Sequence, residues 1–187
     1  MKTVGQSLAP FNVVGVKPGF NLPEEDGVSA FADITETSFA GKWKIIYFYP
    51  KDFTFVCPTE IVAYNKLARD FEDRDAILMG GSTDNEFCKL AWRREHKDLN
   101  KLGHWQFADI TGALIDQLGI RHPAGVALRA TFIVDPQNVI QHVSVNPLEV
   151  GRNPDETLRI LDALQTGELC ECNRAPGADT LSHTKQK

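Results

Sequence analysis

The sequence predicts an α/β sandwich built on one mixed central sheet flanked by helices. Three observations carry that expectation. Runs of β-branched and aromatic residues alternate with segments of helical periodicity through the middle of the chain. Later residues offer a hairpin pattern and then one amphipathic helix. The 187 residues, 42% hydrophobic and 24% charged, suffice for one sizeable core and not for two.

The first forty residues contain much of the glycine and little periodicity, so they read as loops with short edge strands around NVVGV and SAFADI. WKIIYFY (43–49) is a buried strand. Residues 59–72 space Ile61, Tyr64, Leu67, Ala68 and Phe71 as a helix face. AILMGGS (76–82) is a second core strand. Thr83 with Glu86 forms a capping-box pattern opening a helix that runs to about Leu99. QFADI is a short strand or turn, and TGALIDQLG a short helix ended by Gly119. RATFIVD is a strand that the DPQN turn returns into VIQHVSV as a hairpin. Pro154 starts a helix with Leu158, Ile160, Leu161 and Leu164 on one side. Residues 1–166 therefore form the domain, and 167–187 a Gly-, Pro- and polar-rich tail, extended or mobile.

A formal net charge of −5 argues against nucleic acid as partner, and the basic RREHK stretch reads as a solvated helix face. MKTVGQSLAP lacks the apolar segment of a signal peptide, and IIYFY is too short to span a bilayer. The expectation is a soluble, cytoplasmic protein that neither enters a membrane nor binds nucleic acid. Four cysteines are too few for a disulfide scaffold of this length, so each is inert core or chemically active.

Cys57 falls where the strand run gives way to a helix beginning near Pro58. A thiol there sits among unpaired backbone N–H groups at the positive end of the helix dipole, which favours thiolate over thiol. Thr54 is close enough in sequence to place a hydroxyl beside the sulfur, and Pro50 to cover it. Free cysteine is also often just a small buried hydrophobe, and position alone leaves both readings open. Likewise Arg129 and Arg152 read by themselves as surface residues, and Glu60 as an ordinary first-turn glutamate.

Pro50, Thr54 and Cys57 form P-x-x-x-T-x-x-C, and FYPKDFTFVCPTE closely resembles the active-site segment of typical two-cysteine peroxiredoxins of the AhpC type. GGSTDNEFCKLAW, RATFIVDP and VGRNPDETLRILDALQ resemble further segments of that family. The resemblance covers about residues 43–172. It implies a thioredoxin-like fold and a peroxidase that reduces hydrogen peroxide and organic hydroperoxides without metal or other cofactor. By it, Cys57 is the peroxidatic nucleophile, Thr54 hydrogen-bonds the peroxide and Pro50 shields the sulfur. Arg129 stabilises the thiolate and the leaving oxygen, Glu60 orients the arginine, and Arg152 supports it.

GELCECN places Cys170 and Cys172 one residue apart. Zinc is a weak alternative for this pair, because metal sites want a second pair or histidines in motif spacing. By resemblance Cys170 is the resolving cysteine, which attacks the sulfenic acid on a partner subunit, so a homodimer is implied, with rings of five or six dimers. Cys-x-Cys departs from the commonest tail and resembles the actinobacterial form, in which the second cysteine can also participate, so the resemblance leaves open whether Cys170 or Cys172 resolves. The reductant expected is an AhpD-type, AhpF-type or thioredoxin-like dithiol protein. Cys88 reads as packing beside Phe87 and Ala91. His96, His104, His122, His142 and His183 show no ligand spacing and are assigned no catalytic role.

Overall fold

The structure, a computed structural model, describes residues 1–181, so His183 falls outside the described residues. In chain order the elements begin with β1 (Asn12–Val16), β2 (Glu24–Glu25), β3 (Val28–Ser29), β4 (Phe31–Thr35) and β5 (Trp43–Phe48). There follow α1 (Cys57–Lys66), α2 (Ala68–Glu72), β6 (Ala76–Ser82), α3 (Glu86–Glu95) and β7 (Trp105–Ala108). The series closes with α4 (Ala113–Leu118), β8 (Arg129–Val134), β9 (Ile140–Asn146) and α5 (Pro154–Thr166). Seven strands form one sheet in the order β4-β1-β7-β6-β5-β8-β9, and β2 pairs with β3 apart from it. The sheet is mixed: β5 runs parallel to β6 and antiparallel to β8. No helix among the described residues is long and apolar enough to cross a membrane.

Alternation along β5 builds two cores, one on each face. Ile46 and Phe48 join Leu114, Leu118 and Phe132 on one side, while Ile45 and Tyr47 meet Ile61, Tyr64, Leu158 and Leu161 on the other. The glycines of AILMGGS make this packing possible. A Cβ at Gly80 would lie 2.1 Å from the Tyr47 ring, and one at Gly81 2.2 Å from Phe107. Only glycine lets those rings lie on the strand.

Four local expectations need correction. NVVGV is no edge strand, because β1 pairs with β4 on one side and β7 on the other; only β4 is at the edge. The helix expected over 59–72 begins at Cys57 and breaks at Leu67, whose N–H bonds Tyr64 three residues back and turns the chain. Asn85, not Thr83, caps α3: its side chain accepts from the Cys88 N–H at 2.8 Å. That helix stops at Glu95, and Lys97–Leu99 form a separate 3₁₀ turn.

The tail differs most. Gly167, at φ 64°, ends α5. Beyond it Arg174 is buried, its Nη1 2.8 Å from Asp162 Oδ2 on α5. Asp162 also takes the Gly177 N–H at 3.0 Å and the Arg74 Nε–H at 3.2 Å. In composition this segment looked free, yet one carboxylate of α5 holds it at Arg174 and again at Gly177.

Candidate active site

Cys57 is the first residue of α1 and is 1% exposed. No side chain caps the helix, and Pro58 follows in the first turn, where its missing N–H leaves no orphan donor. The strand β5 thus delivers the chain to the sheet end, residues 49–56 turn there, and α1 starts with its sulfur at the N-terminal end.

Two buried arginines and one glutamate surround that sulfur. Arg129, first residue of β8, donates from Nη1 to Cys57 Sγ at 3.4 Å and to Glu60 Oε2 at 2.6 Å, and from Nε to the Leu148 carbonyl at 2.7 Å. Arg152 donates from Nε to Glu60 Oε1 at 2.8 Å and from Nη2 to Oε2 at 3.0 Å, while its backbone N–H takes Oε1 at 2.9 Å. Its guanidinium also lies over the rings of Tyr47 and Tyr64, at 5.6 and 5.9 Å. Burial acts to lower the Arg129 pKa, but its hydrogen bond to Cys57 and the Glu60 carboxylate outweigh this and hold the pKa above its ordinary value. A permanently cationic donor therefore faces the sulfur, favours negative charge on it, and can accept charge developing on an oxygen bound beside it.

The surface reading of Arg129 and Arg152 is thus wrong. Both side chains are 4% exposed, because a carboxylate buried with them supplies their counter-charge. Glu60, 2% exposed, is no ordinary first-turn glutamate either. Nothing in residue spacing signals this, since the three come from α1, β8 and the segment before α5.

Pro50 is buried and Thr54 half-buried. The Thr54 hydroxyl donates to the Lys51 carbonyl at 2.9 Å, so in this state it is engaged with its own loop. All four cysteines are free. Cys170 is half-buried, with Sγ 3.5 Å from the Thr166 hydroxyl and 3.8 Å from the Ala163 carbonyl, and Cys172 is exposed. Cys88 is half-buried, and burial, with Asp52 and Asp84 adding to it, pushes its thiol up to about 11. Sequence reading passed over Lys89, which is fully buried beside the active-site loop. Its signal was its place: with Leu90, Trp92 and Arg93 it lies on the inward stripe of α3.

The AhpC/TSA family model matches residues 15–143. The chain belongs to this family. It is 48% identical over 183 residues to alkyl hydroperoxide reductase C of Mycolicibacterium smegmatis, covering 96% of this chain and 93% of that protein. It is 42% identical over 159 residues to the human mitochondrial thioredoxin-dependent peroxide reductase, covering 81% of this chain and 62% of that one. Among solved structures, Mycobacterium tuberculosis AhpC superposes with a TM-score of 0.84 at 45% identity, covering 92% of this chain and 98% of that chain. These AhpC/TSA relatives have the expected thioredoxin-like peroxiredoxin fold, and the seven-stranded mixed sheet with flanking helices agrees with it.

Proposed function

We propose that this AhpC/TSA protein is a peroxiredoxin that reduces hydrogen peroxide and organic hydroperoxides in the cytoplasm. The single observation that carries the assignment is the buried Cys57 sulfur with an arginine donor at 3.4 Å, the arginine itself fixed by Glu60.

Cys57 attacks as the thiolate. Sulfur bonds to the nearer peroxide oxygen, the O–O bond breaks, and the departing oxygen leaves as water or alcohol after taking a proton. Cys57 is left as sulfenic acid. Arg129 holds charge on sulfur before the step and on the leaving oxygen during it, Glu60 orients Arg129, and Arg152 braces Glu60. Thr54 would exchange its bond to Lys51 for one to the bound peroxide, under the cover of Pro50.

Residues 1–166 act as the peroxidase unit, and the tail from 167 to 187 carries the resolving thiol. Cys170 of one subunit, or Cys172 one residue on, attacks the sulfenic sulfur of the other; a disulfide forms and water leaves. An external dithiol protein of AhpD, AhpF or thioredoxin type then reduces the disulfide by exchange. This scheme requires a homodimer and suits rings of five or six dimers.

Stopped-flow oxidation of the reduced protein by hydrogen peroxide tests the assignment. Cys57 should react several orders of magnitude faster than free cysteine. A rate equal to that of a simple thiol would defeat it.

A further inference from the structure

Residues 50–54 carry Pro50 and Thr54, to which the proposed mechanism gives the cover of the sulfur and a bond to the peroxide, and this loop is short, irregular and strained. Phe53 holds φ at 54°, a left-handed conformation costly for a bulky side chain, and its exposed ring does not bury it. Something outside the loop has to hold it there. Asp52, 4% exposed, is the loop's attachment. Its N–H donates to Asp84 Oδ2 at 2.7 Å, and its carboxylate lies 3.3 Å from the Ser82 hydroxyl at the end of β6.

Both carboxylate oxygens of Asp52 also lie 3.4 Å from Nζ of Lys89, which is entirely buried. The same ammonium donates to Ser82 Oγ at 2.8 Å and to the Tyr49 hydroxyl at 3.2 Å. It also stands 5.2 Å over the Tyr49 ring. One turn further along α3, Trp92 stacks on Phe53 at 5.7 Å. The loop is therefore gripped at two successive residues from one helix: Asp52 by charge and Phe53 by its ring. A buried lysine with a single carboxylate partner is an expensive device for mere cohesion, since apolar residues of similar volume usually stabilise as well.

We propose that Lys89 and Asp52 are positioning residues for peroxide reduction: their buried ion pair holds the strained 50–54 loop so that Thr54 and Pro50 meet the peroxide at Cys57. The hydrogen bonds of Lys89 go to Tyr49, Asp52 and Ser82 and not to the sulfur, and the inference rests on the peroxidase function proposed above. It implies a separation of two reactivities. Attack of Cys57 on an alkylating agent needs the thiolate, which Arg129 and the helix end supply. Attack on peroxide needs the loop as well.

The test measures both in full-length Lys89→Met and in Lys89→Met/Asp52→Asn, the second leaving no unpaired buried charge should the first not fold. Folding is checked by circular dichroism. Iodoacetamide labelling of the Cys57 peptide, followed by mass spectrometry across pH, reads the thiolate; stopped flow with hydrogen peroxide reads the loop. In the folded variant the labelling rate and its pH midpoint should stay within about two-fold and a few tenths of a pH unit of the parent, while the peroxide rate falls at least about ten-fold, a positioning loss of ordinary size. A smaller fall in the peroxide rate, or equal falls in both reactivities, overturns the proposal. A parent protein that itself reacts with peroxide no faster than a simple thiol is a different failure: the peroxidase function is then lost, and this role with it.

Discussion

Nη1 of Arg129 and Oε2 of Glu60 lie 2.6 Å apart, in side chains only 4% and 2% exposed. Glu60 is the one carboxylate paired with both Arg129 and Arg152 among the described residues, so neutralising it strands two buried cations. Glu60→Gln should destabilise the fold by roughly 3–5 kcal/mol, as breaking a buried pair does. It should also slow peroxide reduction, because Arg129 loses the partner that aims it. Urea denaturation and stopped flow on the same sample check both; an unchanged unfolding midpoint would show that the arginines find other partners.

Cys57→Ser should abolish peroxide turnover and leave the fold intact, since a hydroxyl nearly fills the space of the thiol. Thr54→Val removes the hydroxyl now bonded to Lys51 and should cost roughly one hundred-fold in peroxide rate, the loss typical of one oxyanion-type donor. Retention of more than a few per cent of turnover by Cys57→Ser refutes its role as nucleophile.

Oxidised protein should run as a covalent dimer on a non-reducing gel through Cys57 and Cys170 or Cys172. Either tail cysteine replaced by serine leaves some dimer; replacing both removes it. A covalent dimer surviving the double replacement would hand the resolving role to Cys88, despite a thiol whose pKa burial raises to about 11.

Stability should fall on acidification through His104. Its Nε2 lies 2.7 Å from the Tyr47 hydroxyl and its Nδ1 3.1 Å from Asn65 Oδ1, an arrangement that suits the neutral ring. Burial, with Arg93 adding to it, pushes its pKa down from 6.5 to about 3. Between those values the unfolded chain binds a proton that the folded one refuses, so stability is lost as pH falls below about 6.5, at up to about 1.4 kcal/mol per pH unit. His104→Gln should therefore lose roughly 2–3 kcal/mol less than the parent between pH 6.5 and about pH 4. Parallel pH slopes in urea denaturation would rule this histidine out as the cause.

The sheet was legible where burial on both faces or a single period rules, as in WKIIYFY, AILMGGS and RATFIVD. It was misread at β1, because a five-residue strand between two irregular stretches carries no mark of having neighbours on both sides. At the site, the place of Cys57 at the start of α1 was legible because a strand-like run gives way there to a proline-led helix. Arg129, Glu60 and Arg152 were legible only by family resemblance. Their interaction is made by β8, α1 and the turn before α5, and ion pairing across such separations leaves no local pattern. Lys89 shows the same limit: an inward lysine on an amphipathic helix is visible, but its carboxylate partner, 37 residues away, is not.

Asp162 has a further consequence for the two tail thiols. With Gly167 closing α5 and Arg174 pinned to that helix, residues 168–173 form a short bridge moored at both ends. Cys170 lies three steps along the chain from Gly167, a reach of about 10 Å even when fully stretched. While the mooring holds, a second sulfur has to be brought to Cys170 on the flank of α5. Parting of the ion pair would release the far end of the bridge at Arg174, while Gly167 still holds Cys170 within the same reach of α5. With Arg174 4% and Asp162 16% exposed, this pair is largely shielded from solvent ions, so added salt should leave the mooring in place.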